Sequence, residues 1–582
     1  MSYYKKSSLF LIILLFLIVD IYALKFTDMS VISGMQIKNY TKVSDKKIPI
    51  NDHSRIRSAD INGDGYYDLI MCSLFPNPLK GIPFENLVFL NNGDGTFTDF
   101  SEASGLKEIQ AGLLFFADFD NDGDQDVFAG LDIPLEAVEN NQIFENDGNG
   151  VFKKKFNSGV ELEKNHFTSH VLSADFDNDG ILDLFVGNGS TMRGVKDLIY
   201  KGNGDLTFTL IPDALKDAKA QPSNGGVILD YDNDGDQDIY VTTYGVSLKR
   251  GNNQLWENQG NMRFVDVSDQ KGVKALRTGN RFQKSTGFGR YFQKEELEKG
   301  IVGSNGFGAA ITDINRDGLP DILTACISHP SEKIFSRKWS DPSSVFINRG
   351  DRGAFRFQNE NIKRGLTFNE GDIDISCADM DNDGITDIMI SREDKYEKRY
   401  KEERHKGWFG VFKGKENGTF EDISLICGVN INDKDGTKRM KRAQNHSIID
   451  YDLDGRLDLF IGGRDKGKGR PNYLFKNITT NKNGVIVLTL KGDGEKVNRD
   501  AIGAVVFISD EDNRIISRYV YSSRGNYSAQ DTRDLYFGFV SSRPEKALLR
   551  WPDGREEIIN IPKTGKFFTI NYPNQIAINV KR

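Results

Sequence analysis

The 582-residue sequence predicts an all-β fold: a seven-bladed β-propeller whose blades carry calcium loops, followed by a small C-terminal β-domain. Three observations predict it. A nine-residue pattern, with oxygen-bearing side chains at positions 1, 3, 5 and 9 and glycine at position 6, occurs seven times. The segments flanking it, such as "GLLFFA" before a copy and "DIYVT" after one, are short and rich in β-branched and aromatic residues, and read as strands. The copies begin 58, 57, 55, 83, 66 and 71 residues apart, which is room for about four strands and their turns, and a sheet-forming unit of that size is a propeller blade.

The second copy, "DFDNDGDQD", shows the chemistry. Asp118, Asp120, Asp122 and Asp126 offer side-chain oxygens, Asp124 offers its main-chain carbonyl, and Gly123 lets the chain turn sharply without a Cβ. Such an array suits calcium, which takes six to eight oxygens in a flexible shell, better than magnesium, which keeps its waters in a tight octahedron. The first copy offers Asp60, Asn62, Asp64 and Asp68 with the carbonyl of Tyr66, and the third Asp175, Asp177, Asp179 and Asp183 with that of Ile181. In the fourth the set is Asp230, Asp232, Asp234 and Asp238 with Asp236, and in the fifth Asp313, Asn315, Asp317 and Asp321 with Leu319. The sixth has Asp379, Asp381, Asp383 and Asp387 with Ile385, and the seventh Asp450, Asp452, Asp454 and Asp458 with Arg456. The chain is thus predicted to hold up to seven Ca2+. An EF-hand is excluded, because position 12 is apolar (Met71, Val186, Val241, Ile390) and the flanks are strands rather than helices.

Between the loops recur Asn/Gly hairpin turns leading into an aromatic strand, such as "LNNGDGTFTDFS" from Leu90 and "KGKENGTFEDIS" from Lys413. The pattern Phe-x-Asp-x-Ser-x-x-x-Gly follows these turns at Phe97, Phe264 and Phe420, and occurs once more at Phe26 with no loop before it. The seventh loop lacks such a segment after it. Residues 24–476 therefore read as the propeller, with 24–35 supplying the missing outer strand of the last blade and leaving no open sheet edge. Residues 477–582 read as the C-terminal domain.

The first 23 residues combine Lys5 and Lys6, an apolar run from Leu9 to Val19 and Ala23 as a cleavage position, the pattern of a secretory signal peptide. This predicts a secreted protein, extracellular or periplasmic, with no membrane span after signal removal, and such compartments supply the calcium that the loops need. Cys72, Cys326, Cys377 and Cys427 can form two disulfides there or stay as buried thiols. The formal charge of −8 misleads about partners. Of the negative charges, 26 lie on loop ligands, so seven bound Ca2+ would bring the total to +6 and leave the remaining surface basic, with no pattern for nucleic acid.

The seven loops between strands resemble the FG-GAP or VCBS repeats of integrin-type β-propellers. "NRDAIGAVVFI" from Asn498, "SSRGNYSAQD" from Ser522, "LYFGF" from Leu535 and "LLRWPDGREE" from Leu548 resemble the ASPIC/UnbV domain that follows such repeats in the cartilage acidic protein-like family. Departures are an insertion from Val273 to Gly303 and the charged loop Ser391 to Gly407. The resemblance implies no established reaction. The reading is a calcium-binding extracellular binding or adhesion module without catalysis, its partner an extracellular protein or glycan, with an anionic one suited to the basic surface. The alternative is a carbohydrate-binding or carbohydrate-active protein using the propeller channel.

Four further features stand outside the repeat pattern. His166, His170 and His446 precede loops and are placed near the channel, without a paired acid or nucleophile motif to make them catalytic. "RGD" at Arg349 to Asp351 occupies a hairpin-turn position that turn composition explains. Sequons stand at Asn39, Asn188, Asn417, Asn445, Asn477 and Asn526. Basic residues cluster at Lys395 to Lys406, at Lys438 to Arg442 and at Arg464 to Arg470, either as an anion-binding face or as solvated loops.

Overall fold

The computed structural model describes residues 24–35, 53–73, 84–131, 141–161, 166–189, 196–244, 251–274, 306–327, 343–366, 371–392, 407–430, 443–463, 472–510, 514–573 and 575–578. The signal-peptide segment, the sequon at Asn39, most of the insertion after Val273 and all three basic clusters lie outside the described residues.

Almost all regular structure is β, in small antiparallel sheets. Seven follow the repeat. Each runs first, second, third and fourth strand in order, with the aspartate-rich loop between the first two. In the second sheet these are Leu113–Ala117, Asp126–Gly130, Asn141–Asn146 and Phe152–Lys155, with loop residues 118–125 between the first pair. The last repeat supplies only Ala443–Ile449, Asp458–Gly463 and Asn472–Asn477, and its fourth strand is Phe26–Asp28, paired antiparallel with Phe26 opposite Asn477.

The first strands carry the packing. Leu113–Ala117 and Ser223–Leu229 are buried along their whole length, and the first strand of each sheet touches that of the next in cyclic order, with Ala443–Ile449 touching Arg55–Ala59. The hydrophobic core is correspondingly built between neighbouring sheets. One cluster joins Ile56, Leu69, Met71 and Phe89 of the first sheet to Ile449, Tyr451, Phe460 and Leu474 of the last. Burial of such side chains contributes ~1.5–3 kcal/mol each, so every sheet is held by two neighbours.

The C-terminal region forms two four-stranded sheets. In one, Gly484–Lys491 pairs with Leu535–Phe539 antiparallel and with Phe567–Asn571 in parallel. In the other, Val505–Ser509 lies between Ile515–Tyr519 and Lys546–Arg550. Their apolar faces, including Ile486, Val506, Trp551 and Phe568, belong to the same core cluster as Phe115, Phe185 and Trp256 of the second to fourth sheets.

Ser522–Asp531 leaves this domain and fills the space that the seven first strands enclose. Gly525–Asn526 pairs with Gly225–Gly226 of the fourth sheet. The main-chain oxygen of Tyr527 accepts from Arg57 Nη2 (2.6 Å), Ser528 Oγ accepts from the Val171 amide (2.6 Å), and the Gln530 amide group bonds both main-chain groups of Phe116 (2.9 and 2.7 Å). Asn445 Nδ2 donates to Asn526 O (2.7 Å). The close passage requires glycine at 525, where φ is +63° and a Cβ would lie 2.0 Å from the Asp374 carboxylate.

Arg524 anchors the segment. It is fully buried, pairs with Asp531 through Nε and Nη2, with Asp374 through Nη1 (3.0 Å), and donates to the carbonyls of Ile375 (2.9 Å) and His446 (2.9 Å).

His170 and His446 do lie on first strands, but both are sealed from solvent. Burial drives the His170 imidazole down to about 3, and burial with the Arg524 charge drives His446 well below its usual value. Ser376 and Ser391 hold the two ring nitrogens of His446 at 2.6 and 2.9 Å. His166, by contrast, lies before the strand and is half-buried. All four cysteines fall among the described residues and none is in a disulfide; three of them are buried. In the "RGD" turn, Arg349 is tied to the buried Glu360 (2.6 Å), while Asp351 is exposed and begins a short 3-10 turn. Of the sequons among the described residues, Asn188, Asn445, Asn477 and Asn526 are buried, and Asn417 alone is exposed.

Candidate metal centres

All seven loops share one hydrogen-bond scheme. The position 1 carboxylate accepts the amides of positions 5 and 6, as Asp118 does from Asp122 (3.1 Å) and Gly123 (2.9 Å) and Asp379 from Asp383 (3.0 Å) and Gly384 (2.8 Å). The position 5 carboxylate accepts the amide of position 7, as Asp179 does from Ile181 (3.0 Å). Position 9 begins the second strand and ties three elements together. Asp126 accepts the amide of Phe119 (3.2 Å) within the loop and that of Asn146 (3.1 Å) on the third strand, and Asp458 does the same with Tyr451 (3.3 Å) and Asn477 (2.7 Å).

This scheme turns the chain twice through the left-handed region. Position 6 is glycine throughout, with φ +105° at Gly123, but position 4 is also left-handed, at Asn121, Asn178, Asn233, Arg316, Asn382 and Leu453 (φ +52° to +61°). Asparagine accepts that conformation readily, whereas Arg316 and Leu453 carry strain that the rest of the loop must hold.

The scheme converges the acids. Among the described residues, ligand oxygens lie within 4.8 Å of one another in five groups: Asp118, Asp120 and Asp122; Asp175, Asp177 and Asp183; Asp230, Asp232 and Asp234; Asp379, Asp381 and Asp387; Asp450, Asp452 and Asp458. In loops one and five the position 3 residue is an asparagine that donates to position 5, Asn62 to Asp64 (3.0 Å) and Asn315 to Asp317 (2.8 Å).

The electrostatics are those of carboxylates short of positive charge. Burial first, then the Asp120 and Asp124 charges, push the Asp126 carboxyl up to about 9, and burial with the Asp179 and Asp177 charges pushes Asp175 up to about 7. The position 3 side chains add a second sign. Oδ1 of Asp177, Asp232, Asp381 and Asp452 is buried with no hydrogen-bond partner, although Asp381 as a residue is only 4% exposed. A buried acceptor left without a donor costs ~1–3 kcal/mol. Converging acids with a buried oxygen lacking a donor fit a hard divalent cation, which would be held by positions 1, 3, 5 and 9 and would supply the charge that these carboxylates lack.

The C-terminal domain sits on the same loops, which the repeat pattern does not reveal. Ser517 Oγ donates to Asp313 (2.9 Å) and Tyr536 Oη to Asp450 (3.1 Å), both at position 1. The Asp118 amide donates to Asp500 (3.0 Å), Arg499 bonds Asn121, and Asn483 donates to the Asp381 carbonyl (2.9 Å).

Small repeated sheets with aspartate-rich turns, closed by a β-domain lying on those turns, define a class of repeat protein. The chain belongs to the family in which FG-GAP repeats precede a C-terminal ASPIC/UnbV domain. The family described as FG-GAP-like repeat matches residues 60–129, 133–186, 175–241 and 313–390, and the one described as ASPIC and UnbV matches residues 494–577. The chain is similar to cartilage acidic protein 1 of Xenopus tropicalis, 22% identical over 307 residues, covering 53% of this chain and 39% of that protein. It is 28% identical to the Homo sapiens cartilage acidic protein 1 over 187 residues, covering 30% and 27%. The match thus spans well under half the length of these relatives.

Among solved structures, a mutant of AofleA from Arthrobotrys oligospora is 12% identical with a TM-score of 0.31, covering 64% of this chain and 87% of that one. The Penicillium chrysogenum alpha-L-arabinanase complexed with arabinobiose is 10% identical with a TM-score of 0.30, covering 63% and 93%. Likenesses of this size carry no argument about function. No helix among the described residues is long and apolar enough to cross a membrane.

Proposed function

We propose that the protein is an extracellular, calcium-loaded binding module, an integrin-type seven-bladed propeller locked by its C-terminal domain, with no catalysis of its own. The observation that supports this most is the placement of Ser522–Asp531. A ring of first strands filled by its own chain and capped on its loop face is a rigid scaffold, and rigid scaffolds suit recognition by the surfaces left open. The buried, neutral His170 and His446 add structure rather than a base.

Calcium in each loop would neutralise the carboxylates on which the C-terminal domain rests, so the ions would cement the two parts as well as the turns. The partner is an extracellular protein or a glycan, and with the ions bound the net charge favours an anionic one. A glycan-active reading, with the ligand at the centre of the ring, requires Ser522–Asp531 to leave.

A glycan array and a panel of immobilised sulfated glycans, run beside a glycosidase and lyase substrate panel with and without EGTA, test this. The expected outcome is dose-dependent binding that EGTA abolishes, with no turnover. Calcium-dependent turnover of any substrate would overturn the reading in favour of an enzyme.

A further inference from the structure

The seven loops are not equal, and the difference lies outside them. The third strand of each sheet passes its own loop, and one of its residues stands a step beyond the last ladder pair with the second strand. After the pairs Leu184–Tyr200, Ile388–Phe412 and Leu459–Phe475 that residue is Lys201, Lys413 and Lys476. After Val127–Phe144 and Ile239–Trp256 it is Glu145 and Glu257, and after Leu69–Phe89 and Ile322–Phe346 it is Leu90 and Ile347.

The three lysines make the same contact. Lys201 bonds Asp177 and Asp179, Lys413 bonds Asp381 and Asp383 (the latter at 3.2 Å), and Lys476 bonds Asp452 and Asp454 (the latter at 3.3 Å), which are positions 3 and 5 each time. Each lysine takes Oδ2 of the position 3 carboxylate, and Oδ1 of that same group is the buried atom with no partner. One oxygen is thus satisfied from the strand while the other is left buried without a donor. In sheets two and four the register residue is an acid instead. Glu145 is an electrostatic neighbour of Asp120 and Asp124, and Glu257, which accepts a hydrogen bond from Tyr231, is one of Asp232 and Asp234.

The register residue follows the acid content of its loop. Loops three, six and seven have four acids and a lysine; loops one and five have three acids and an aliphatic residue. Loops two and four have an extra aspartate at position 7, Asp124 and Asp236, and a glutamate, so loop acids and register residue together carry −6 there against −3 in loop three or loop one. A lysine ammonium is a compact charge on a flexible stem, able to sit on two carboxylates and to withdraw.

We propose that this third-strand residue sets the hold of each loop on its cation: Lys201, Lys413 and Lys476 are built-in counter-cations that weaken calcium binding and keep their loops ordered when calcium is scarce, while Glu145 and Glu257 make loops two and four the tight sites. The proposal rests on the reading that the loops bind calcium. Removing a positive charge this close to two ligands raises the affinity for a divalent ion, and removing a negative one lowers it.

Calcium titration calorimetry on the full chain, stripped of metal, tests it. The wild type is expected to show two tight sites and a weaker group. The triple variant Lys201→Met, Lys413→Met, Lys476→Met is expected to tighten three of the weaker sites about tenfold and, in EGTA, to melt below the wild type. Glu145→Gln with Glu257→Gln is expected to abolish the tight class. Lys413→Met alone, followed by terbium luminescence, gives the same reading for one loop if the triple variant does not fold. Affinities unchanged within about twofold in lysine variants that do bind calcium would overturn the proposal alone. No calcium binding by the wild type or any variant would remove the calcium reading and the proposal with it.

Discussion

Chelation of calcium is expected to lower the melting temperature by roughly 10–15 °C. An ion that binds only the folded chain stabilises it by RT ln(1 + [L]/Kd), which at ~100 Kd is ~2.7 kcal/mol for each site. At ~2.1 cal/mol/K per residue, a chain of this length moves by about 1 °C per kcal/mol, so several sites acting together give that shift. The sign of its pH dependence follows from the raised carboxyls. Asp126, at about 9, and Asp175, at about 7, are raised chiefly by burial, against ~3.9 for an unfolded aspartate. In the calcium-free protein their ionisation disfavours the fold, so the stability these groups contribute is greatest in acid and falls as pH rises from ~4 through those values. Differential scanning calorimetry with and without EGTA should therefore show a larger drop at pH 8 than at pH 5. A drop independent of pH, or none at all, would contradict this.

Arg524→Met is expected to destabilise the protein by about 3–5 kcal/mol, the loss typical when one partner of a buried ion pair is removed. It would leave the buried Asp374 and Asp531 carboxyls without the guanidinium that bridges them. Because Asp531 also accepts the Ile448 amide (2.8 Å), Asp531→Asn in the Arg524→Met background keeps that acceptor, removes one uncompensated charge, and should recover part of the loss. Since Arg524 lies where Ser522–Asp531 threads the ring, the single variant should also speed hydrogen exchange in Gly225–Gly226 and in the C-terminal sheets before the fourth strands open. Loss confined to the C-terminal sheets, with the first strands unaffected, would mean that the segment does not brace the ring.

Both expectations rest on features of unequal legibility. The loops were readable because each is a local code: nine residues fix the acids, the position 6 glycine and the start of the second strand. The pairing of Phe26–Asp28 with Asn472–Asn477 spans the whole repeat region, yet the pattern at Phe26 announced it because the same pattern follows the hairpins elsewhere. The lysines at 201, 413 and 476 stand at one place in only three of the seven repeats, and their meaning depends on a strand register that is not seen until the sheet is built. Nothing local predicts that Ser517 and Tyr536 touch position 1 aspartates, or that Arg524 bridges Asp374 and Asp531. The partners in the ring lie far along the chain and share no period with those residues. The buried sequons have a similar cause. Asn477 donates to the Met380 carbonyl (2.6 Å) of the neighbouring loop, and the Thr479 that completes its sequon bonds back to it (2.6 Å).

The central claim is that cations hold these loops. Long-wavelength anomalous diffraction from crystals grown in calcium tests it most directly. The account predicts an anomalous peak in each of the seven loops, about 2.3–2.6 Å from the oxygens of positions 1, 3, 5 and 9, strongest in loops two and four at limiting calcium. Well-ordered loops without such peaks at millimolar calcium would contradict it.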